Sequence, residues 1–254
     1  MNRDWPVPVP QLNNSLARQP KLVSLPVAGT PYYRGQSMAR DHGSFPSRTK
    51  AALLLIDVIN DLEFPDADAL LEQAIPMAKR LAELKRRARK HRIPVIYIND
   101  NFGRWKSDFR RIVEHCTAKK VRGAPVSKRL VPNEDDYFVL KPKHSGFYST
   151  TLDVLLEYLR ADILILTGIA TNICVLFTAN DAYMRDYSLY IPCDCVAANT
   201  ADENSYALSQ MSKVLKADIR QSDEINFKKL GAGEDGGASG KRRGSVIHLI
   251  SERR

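Results

Sequence analysis

Three residues in this chain have the types and positions for shared chemistry. Asp57 follows the apolar run AALLLI (51–56), Lys141 ends YFVLK (137–141), and Cys174 falls in the first turn of a helical stretch behind DILILT (162–167) and Gly168. Short apolar runs of this kind read as strands of a parallel sheet, the most continuous of them buried on both faces. Open parallel sheets gather ligands at the carboxyl ends of their strands, so the three side chains are expected to converge in one crevice. A helix N-terminus and a nearby ammonium favour a thiolate, and a carboxylate can accept its proton. The chemistry implied is that of an activated sulfur nucleophile. Plainer readings stand beside it: Cys174 as a small core residue, Asp57 as a helix cap or ion-pair partner, and Lys143 as the functional lysine in place of Lys141.

The elements that would hold these residues follow from periodicity. A helix is predicted from about Asp68 to His91, with Leu70, Leu71, Ala74, Met77, Ala78, Leu81 and Leu84 on one face and a basic last turn. Pro94 restarts the chain as a second buried strand, IPVIYIN, and a long polar connection leads to the third, YFVLK. Helices are predicted at Ser149 to Leu159, about Asn172 to Arg185, and Asp202 to Leu215; SLYIP (188–192) reads as a fifth strand and ADIR near Asp218 as a sixth. Alternating strands and helices imply an α/β fold: a six-stranded parallel sheet in a Rossmann-like three-layer sandwich, with helices on both faces.

The segments LLLIDVIND (53–61), VLKPKHSGFYST (139–150) and TGIATNICVLFTANDAYMRDY (167–187) resemble the three signature blocks of the isochorismatase-like cysteine hydrolases, over about residues 51 to 220. The resemblance implies an Asp, Lys, Cys triad at Asp57, Lys141 and Cys174. The spacing K-x-x-x-S-x-F, met by Lys141, Ser145 and Phe147, favours Lys141 over Lys143. It also implies a cis peptide between Ile169 and Ala170, and an oxyanion hole from the backbone N–H groups of Ala170 and Cys174. The activity implied is hydrolysis of a small amide or carbamoyl compound through a thioester, without a cofactor, by a homo-oligomer, either a dimer or a tetramer.

The chain departs from the family pattern in two places. Nicotinamidases of the family carry a metal-binding D-x-H motif after the second strand; the matching stretch here is NDNFGRW (99–105), with Phe102 where the histidine would stand. No metal is expected. The block D-x-Q-N-D reads Asp57, Val58, Ile59, Asn60, Asp61, with an isoleucine in the glutamine position, which suggests an altered pocket. Asn101, Arg104, Trp105 and Phe147 are candidates for substrate binding: a cation for a carboxylate and rings to stack or wall the pocket. Arg104 and Trp105 serve equally well as packing residues. Cys193 and Cys195 form a C-x-C, but no second Cys or His pair at zinc-like spacing accompanies it.

Composition bounds the remaining function classes. The 254 residues carry a formal charge of +9, which suggests nucleic acid until the charge is located. Residues 1–50 hold 7 basic and 2 acidic side chains, residues 228–254 hold 7 and 3, and the stretch between holds 24 of each. A Pro-rich basic extension (1–50), a neutral hydrolase domain (51–227) and a Gly-rich basic tail (228–254) are the expected units. The basic run KRR at 241–243 could touch phosphates, yet no recognised reading module accompanies it, and nucleic acid is not expected as a partner. No apolar run approaches the roughly 20 residues needed to cross a bilayer, and a cytoplasmic location is expected. An isochorismatase-type vinyl ether hydrolase is the rival enzyme; it needs no cysteine nucleophile.

Overall fold

The computed structural model describes residues 50–100 and 108–231. Its sheet has the order β3-β2-β1-β4-β5, with β6 pairing β4 off that path, and every pairing is parallel. The strands are β1 (Ala51–Ile56), β2 (Val95–Asp100), β3 (Tyr137–Lys141), β4 (Ile163–Ile169), β5 (Ser188–Tyr190) and β6 (Val196–Ala197). Helix α1 (Ala67–Lys90), α2 (Phe109–Cys116) and α7 (Phe227–Gly231) pack on one face of the sheet. The short α3 (Ala124–Ser127) lies against α1. Helices α4 (Leu152–Leu159), α5 (Leu176–Tyr183) and α6 (Ala201–Leu215) cover the other face. The six-stranded α/β sandwich expected from the alternation is present.

Central strand β1 is buried at every position, because β2 and β4 flank it and helices cover both of its faces. Alternate residues divide accordingly: Ala51, Leu53 and Leu55 face α1, whereas Ala52, Leu54 and Ile56 face the α4–α6 layer. The sixth strand differs from the expected one. Asp218 of the ADIR segment contributes only one bridge, to Tyr190, and the sixth strand is instead Val196–Ala197, too short to show a period in sequence. Helix α1 runs through Pro76 without ending, since Leu70, Ala74, Met77, Ala78 and Leu81 are buried on both sides of it.

Two devices hold the strand ends in place. Gly168 has φ +107°, and a Cβ there would lie 2.0 Å from the Ile56 carbonyl oxygen, so only glycine lets β4 lie this close to the end of β1. On the α1 face, the buried Lys85 Nζ donates to the Tyr97 hydroxyl (2.8 Å) and the Val131 carbonyl (3.1 Å) and pairs with Asp136 (2.7 Å). That cluster ties the connection entering β3 to the rest of the domain. Among the described residues, no helix is long and apolar enough to cross a membrane.

Candidate active site

Asp57 is the first residue beyond β1 and has φ +51°, a turn that aspartate tolerates better than most side chains. Its N–H donates to the Ile98 carbonyl (2.8 Å), and its Oδ1 accepts the Asp100 N–H (2.8 Å). The carboxylate is thereby fastened to the end of β2. Lys141, the last residue of β3 and 0% exposed, reaches across with Nζ 2.8 Å from Asp57 Oδ2, 3.9 Å from Asp100 Oδ2 and 3.2 Å from the Lys143 carbonyl oxygen. Lys143 itself is exposed and takes part only through that carbonyl.

Cys174 arrives from the far side of the sheet. The peptide bond between Ile169 and Ala170 is cis, and beyond it Thr171–Val175 form a wide π-helical turn that runs straight into α5. The Ala170 carbonyl accepts from Ile173 N–H (3.1 Å) and from Val175 N–H (3.2 Å), five residues on. Cys174 Sγ lies 3.6 Å from Lys141 Nζ, the same ammonium that pairs with Asp57, and is near enough to the Asp57 carboxyl to feel its charge. The three residues from separate strand ends therefore meet in one place.

The buried Thr178 links the two segments that flank the sulfur: its hydroxyl donates to the Cys174 carbonyl (2.7 Å) and accepts the Gly146 N–H (3.0 Å). Ser145 adds a short hydrogen bond to Asp181 of α5. Thr171 Oγ1 donates to Asn204 Oδ1 of α6 (2.6 Å), which secures the turn that carries the sulfur.

Burial dominates the electrostatics. The Asp57 carboxyl is raised from its ordinary range chiefly by burial, against the pull of Lys141. Burial alone would lower Lys141, but the carboxylate of Asp57 and the sulfur of Cys174 outweigh it and hold the ammonium above its ordinary range. The Cys174 thiol is pushed up to about 12 by burial and by the neighbouring negative Asp57, more than Lys141 can offset. Proximity to an ammonium and a helix start thus does not by itself make a standing thiolate here. The resting arrangement is a protonated thiol beside the Asp57–Lys141 pair.

The other expected residues are placed differently. Phe147 is 3% exposed and packs in the core beneath Arg185, whose guanidinium lies 4.6 Å from its ring centroid, so it supports the loop from inside. Ile59 is fully buried in the α1-side core, and the missing glutamine therefore leaves an apolar core residue in its place. Asn101, Arg104 and Trp105 lie outside the described residues, as does Phe102. Cys193 is half-buried and Cys195 buried, both as free thiols. Two further residues, one beside the Asp57–Lys141 pair and one beside the sulfur, were not singled out by sequence. Asp100 closes β2 by the same strand-end rule that marks Asp57 and Lys141, while His144 places Nδ1 3.9 Å from Cys174 Sγ.

The isochorismatase-domain family model matches residues 51–222, from the first residue of β1 to Ser222, and so spans the whole sheet. The uncharacterized isochorismatase family protein YaaI of Bacillus subtilis is 44% identical over 179 residues, which is 70% of this chain and 98% of that protein. Over a shorter stretch of 58 residues, 23% of each chain, the ureidoacrylate amidohydrolase RutB of Methylorubrum extorquens is 47% identical. Among solved structures, the N-carbamoylsarcosine amidase from Thermoplasma acidophilum superposes with a TM-score of 0.54 at 30% identity, covering 70% of this chain and 99% of the amidase. With a family match that begins at β1 and carries all three strand ends of the site, this chain belongs to the isochorismatase family.

Proposed function

We propose that the chain is a cysteine hydrolase that cleaves the C–N bond of a small amide, carbamoyl or ureido compound through a thioester, releasing ammonia or an amine. The observation that carries this reading is one sulfur 3.6 Å from a buried ammonium that itself pairs with a buried carboxylate at 2.8 Å. Asp57 takes the thiol proton as Cys174 Sγ adds to the carbonyl carbon. The tetrahedral oxyanion is received by the N–H groups of Ala170 and Cys174, at a helical start where backbone donors lack intrahelical acceptors. The C–N bond then breaks, and the proton on Asp57 leaves with the nitrogen. Water gives a proton to the same carboxylate and adds to the thioester carbon; collapse frees the acid, and the proton returns to sulfur. Lys141 keeps its charge throughout and holds Asp57 in line.

The named activities of two relatives, on N-carbamoylsarcosine and on ureidoacrylate, favour the carbamoyl and ureido classes. Asn101, Arg104 and Trp105 remain the proposed contacts for the rest of the substrate. A cytoplasmic homo-oligomer whose hydrolase unit is residues 51–227 completes the reading. The test is ammonia or amine release from a panel of carboxamides and ureido acids, with mass-spectrometric trapping of an acyl group on Cys174. Cys174→Ala is expected to abolish both signals. Undiminished turnover by that variant, or ammonia-free turnover of isochorismate by the parent protein, would overturn the proposal.

A further inference from the structure

The rim of the site on the α5 side carries an open aromatic ring. Phe177 follows Cys174 by three residues on the helical run that begins with the π turn, and it is 52% exposed, whereas Val175 and Thr178 on either side are buried. Two features put its ring on the side of the run where the sulfur stands. Residues three apart on a helix share a face, with Cβ atoms about 5–6 Å apart. His144, whose Nδ1 is 3.9 Å from Cys174 Sγ, also lies against the Phe177 ring, at a centroid distance of 5.4 Å and a tilt of 50°. One loop side chain thus touches both the sulfur and the ring. Lys141 and its partner Asp57 close the inner side of the sulfur, so a group that becomes bonded to sulfur extends outward, past His144 and Phe177. Phe147, the ring expected to wall the pocket, is buried under Arg185 and cannot meet that group. A lone exposed ring on a surface needs no explanation, but one seated a helical turn from the nucleophile bears on what the nucleophile accepts.

We propose that Phe177 is a specificity-determining residue, whose exposed ring stacks on a flat apolar group that the substrate carries beyond the carbonyl carbon attacked by Cys174. Aromatic rings gain most from other planar groups, offset or edge-on at centroid distances of about 4.5–7 Å, and less from short saturated ones. The substrate class narrows accordingly to amides and ureido compounds with an aromatic or conjugated substituent. His144 backs one side of the ring, and the exposed half is the part that the substituent covers. This inference rests on the proposed function, through Cys174 as the nucleophile.

The test compares two alkylating reagents that differ by one phenyl group, iodoacetamide and N-phenyliodoacetamide. Each rate is read on the Cys174 peptide by mass spectrometry and divided by the rate of the same reagent with free glutathione. The parent protein is expected to prefer the phenyl reagent about fivefold, the scale of one aromatic pair. Phe177→Ala is expected to bring that preference close to one, and Phe177→Tyr, which keeps the ring, to retain it. A preference in Phe177→Ala as large as the parent's overturns the proposal and assigns the ring to packing or to a subunit contact. A loss in Phe177→Tyr equal to that in Phe177→Ala overturns it too, as does an absence of labelling at Cys174 by either reagent. Alkylation needs no amide substrate, so a lost preference is separate from a failure of the amidohydrolase reading, which the Cys174→Ala turnover assay detects.

Discussion

Asp57 and Lys141 form a buried ion pair whose members need each other more than the fold needs either. Breaking such a pair strands a charge, whereas removing both charges is often nearly neutral. Asp57→Asn is therefore expected to lower stability by about 3 kcal/mol, and Asp57→Asn with Lys141→Met to recover most of the loss, as measured by urea unfolding. The pH dependence has a defined sign. Because the folded state raises the Asp57 carboxyl, it binds that proton more tightly than the unfolded chain does. The stability contributed by this group is then full below the ordinary value of 3.8 and is lost as pH rises through the folded value. Lys141, also raised, loses its contribution only at alkaline pH, above the ordinary value of 10.5. Asp57, Lys141 and Cys174 were legible because each follows or ends a clearly patterned element. Asp100 obeys the same rule and was readable by it. His144 was not, since its approach to sulfur depends on how the 142–146 loop folds over α5, through Ser145–Asp181 and Gly146–Thr178, contacts with no periodic signature.

At the scale of elements, the site depends on two segments, one behind β3 and one behind β4, that share a single buried hydroxyl. Thr178→Val removes that hydroxyl at nearly constant volume, leaving the Gly146 N–H without its acceptor and the Cys174 carbonyl without its donor. A loss of about 1–3 kcal/mol in stability is expected, together with a fall in kcat, while Thr178→Ser retains both; chemical unfolding and steady-state kinetics check the pair. The strands β1 to β4 were readable within one or two residues because buried parallel strands are continuous apolar runs. The helical stretch after β4 was also readable, but not its opening π turn, which is set by acceptance at Ala170 from Val175. The two-residue β6 falls below any sequence period, and α2 and α3 lie in a stretch read only as a polar connection.

For the whole molecule, the charge balance separates catalysis from surface behaviour. The stretch 51–227 is neutral, and the surplus of +9 lies at either end of it. Removal of residues 232–254 is expected to leave turnover and thermal unfolding unchanged while weakening retention on a cation exchanger; a loss of turnover would assign the tail a part in the site. The same scale exposes a demand of the topology. β1 finds β2 about forty residues later in the chain, but its other edge pairs β4, with Ala51 opposite Ile163. At ribosomal speeds of about 5–20 residues per second, the most apolar strand of the protein waits roughly 6–20 seconds with one edge unpaired before its second partner is made. During that interval it is a template for any passing strand. The central position that buries β1 completely in the finished enzyme makes it the most vulnerable segment of the nascent one.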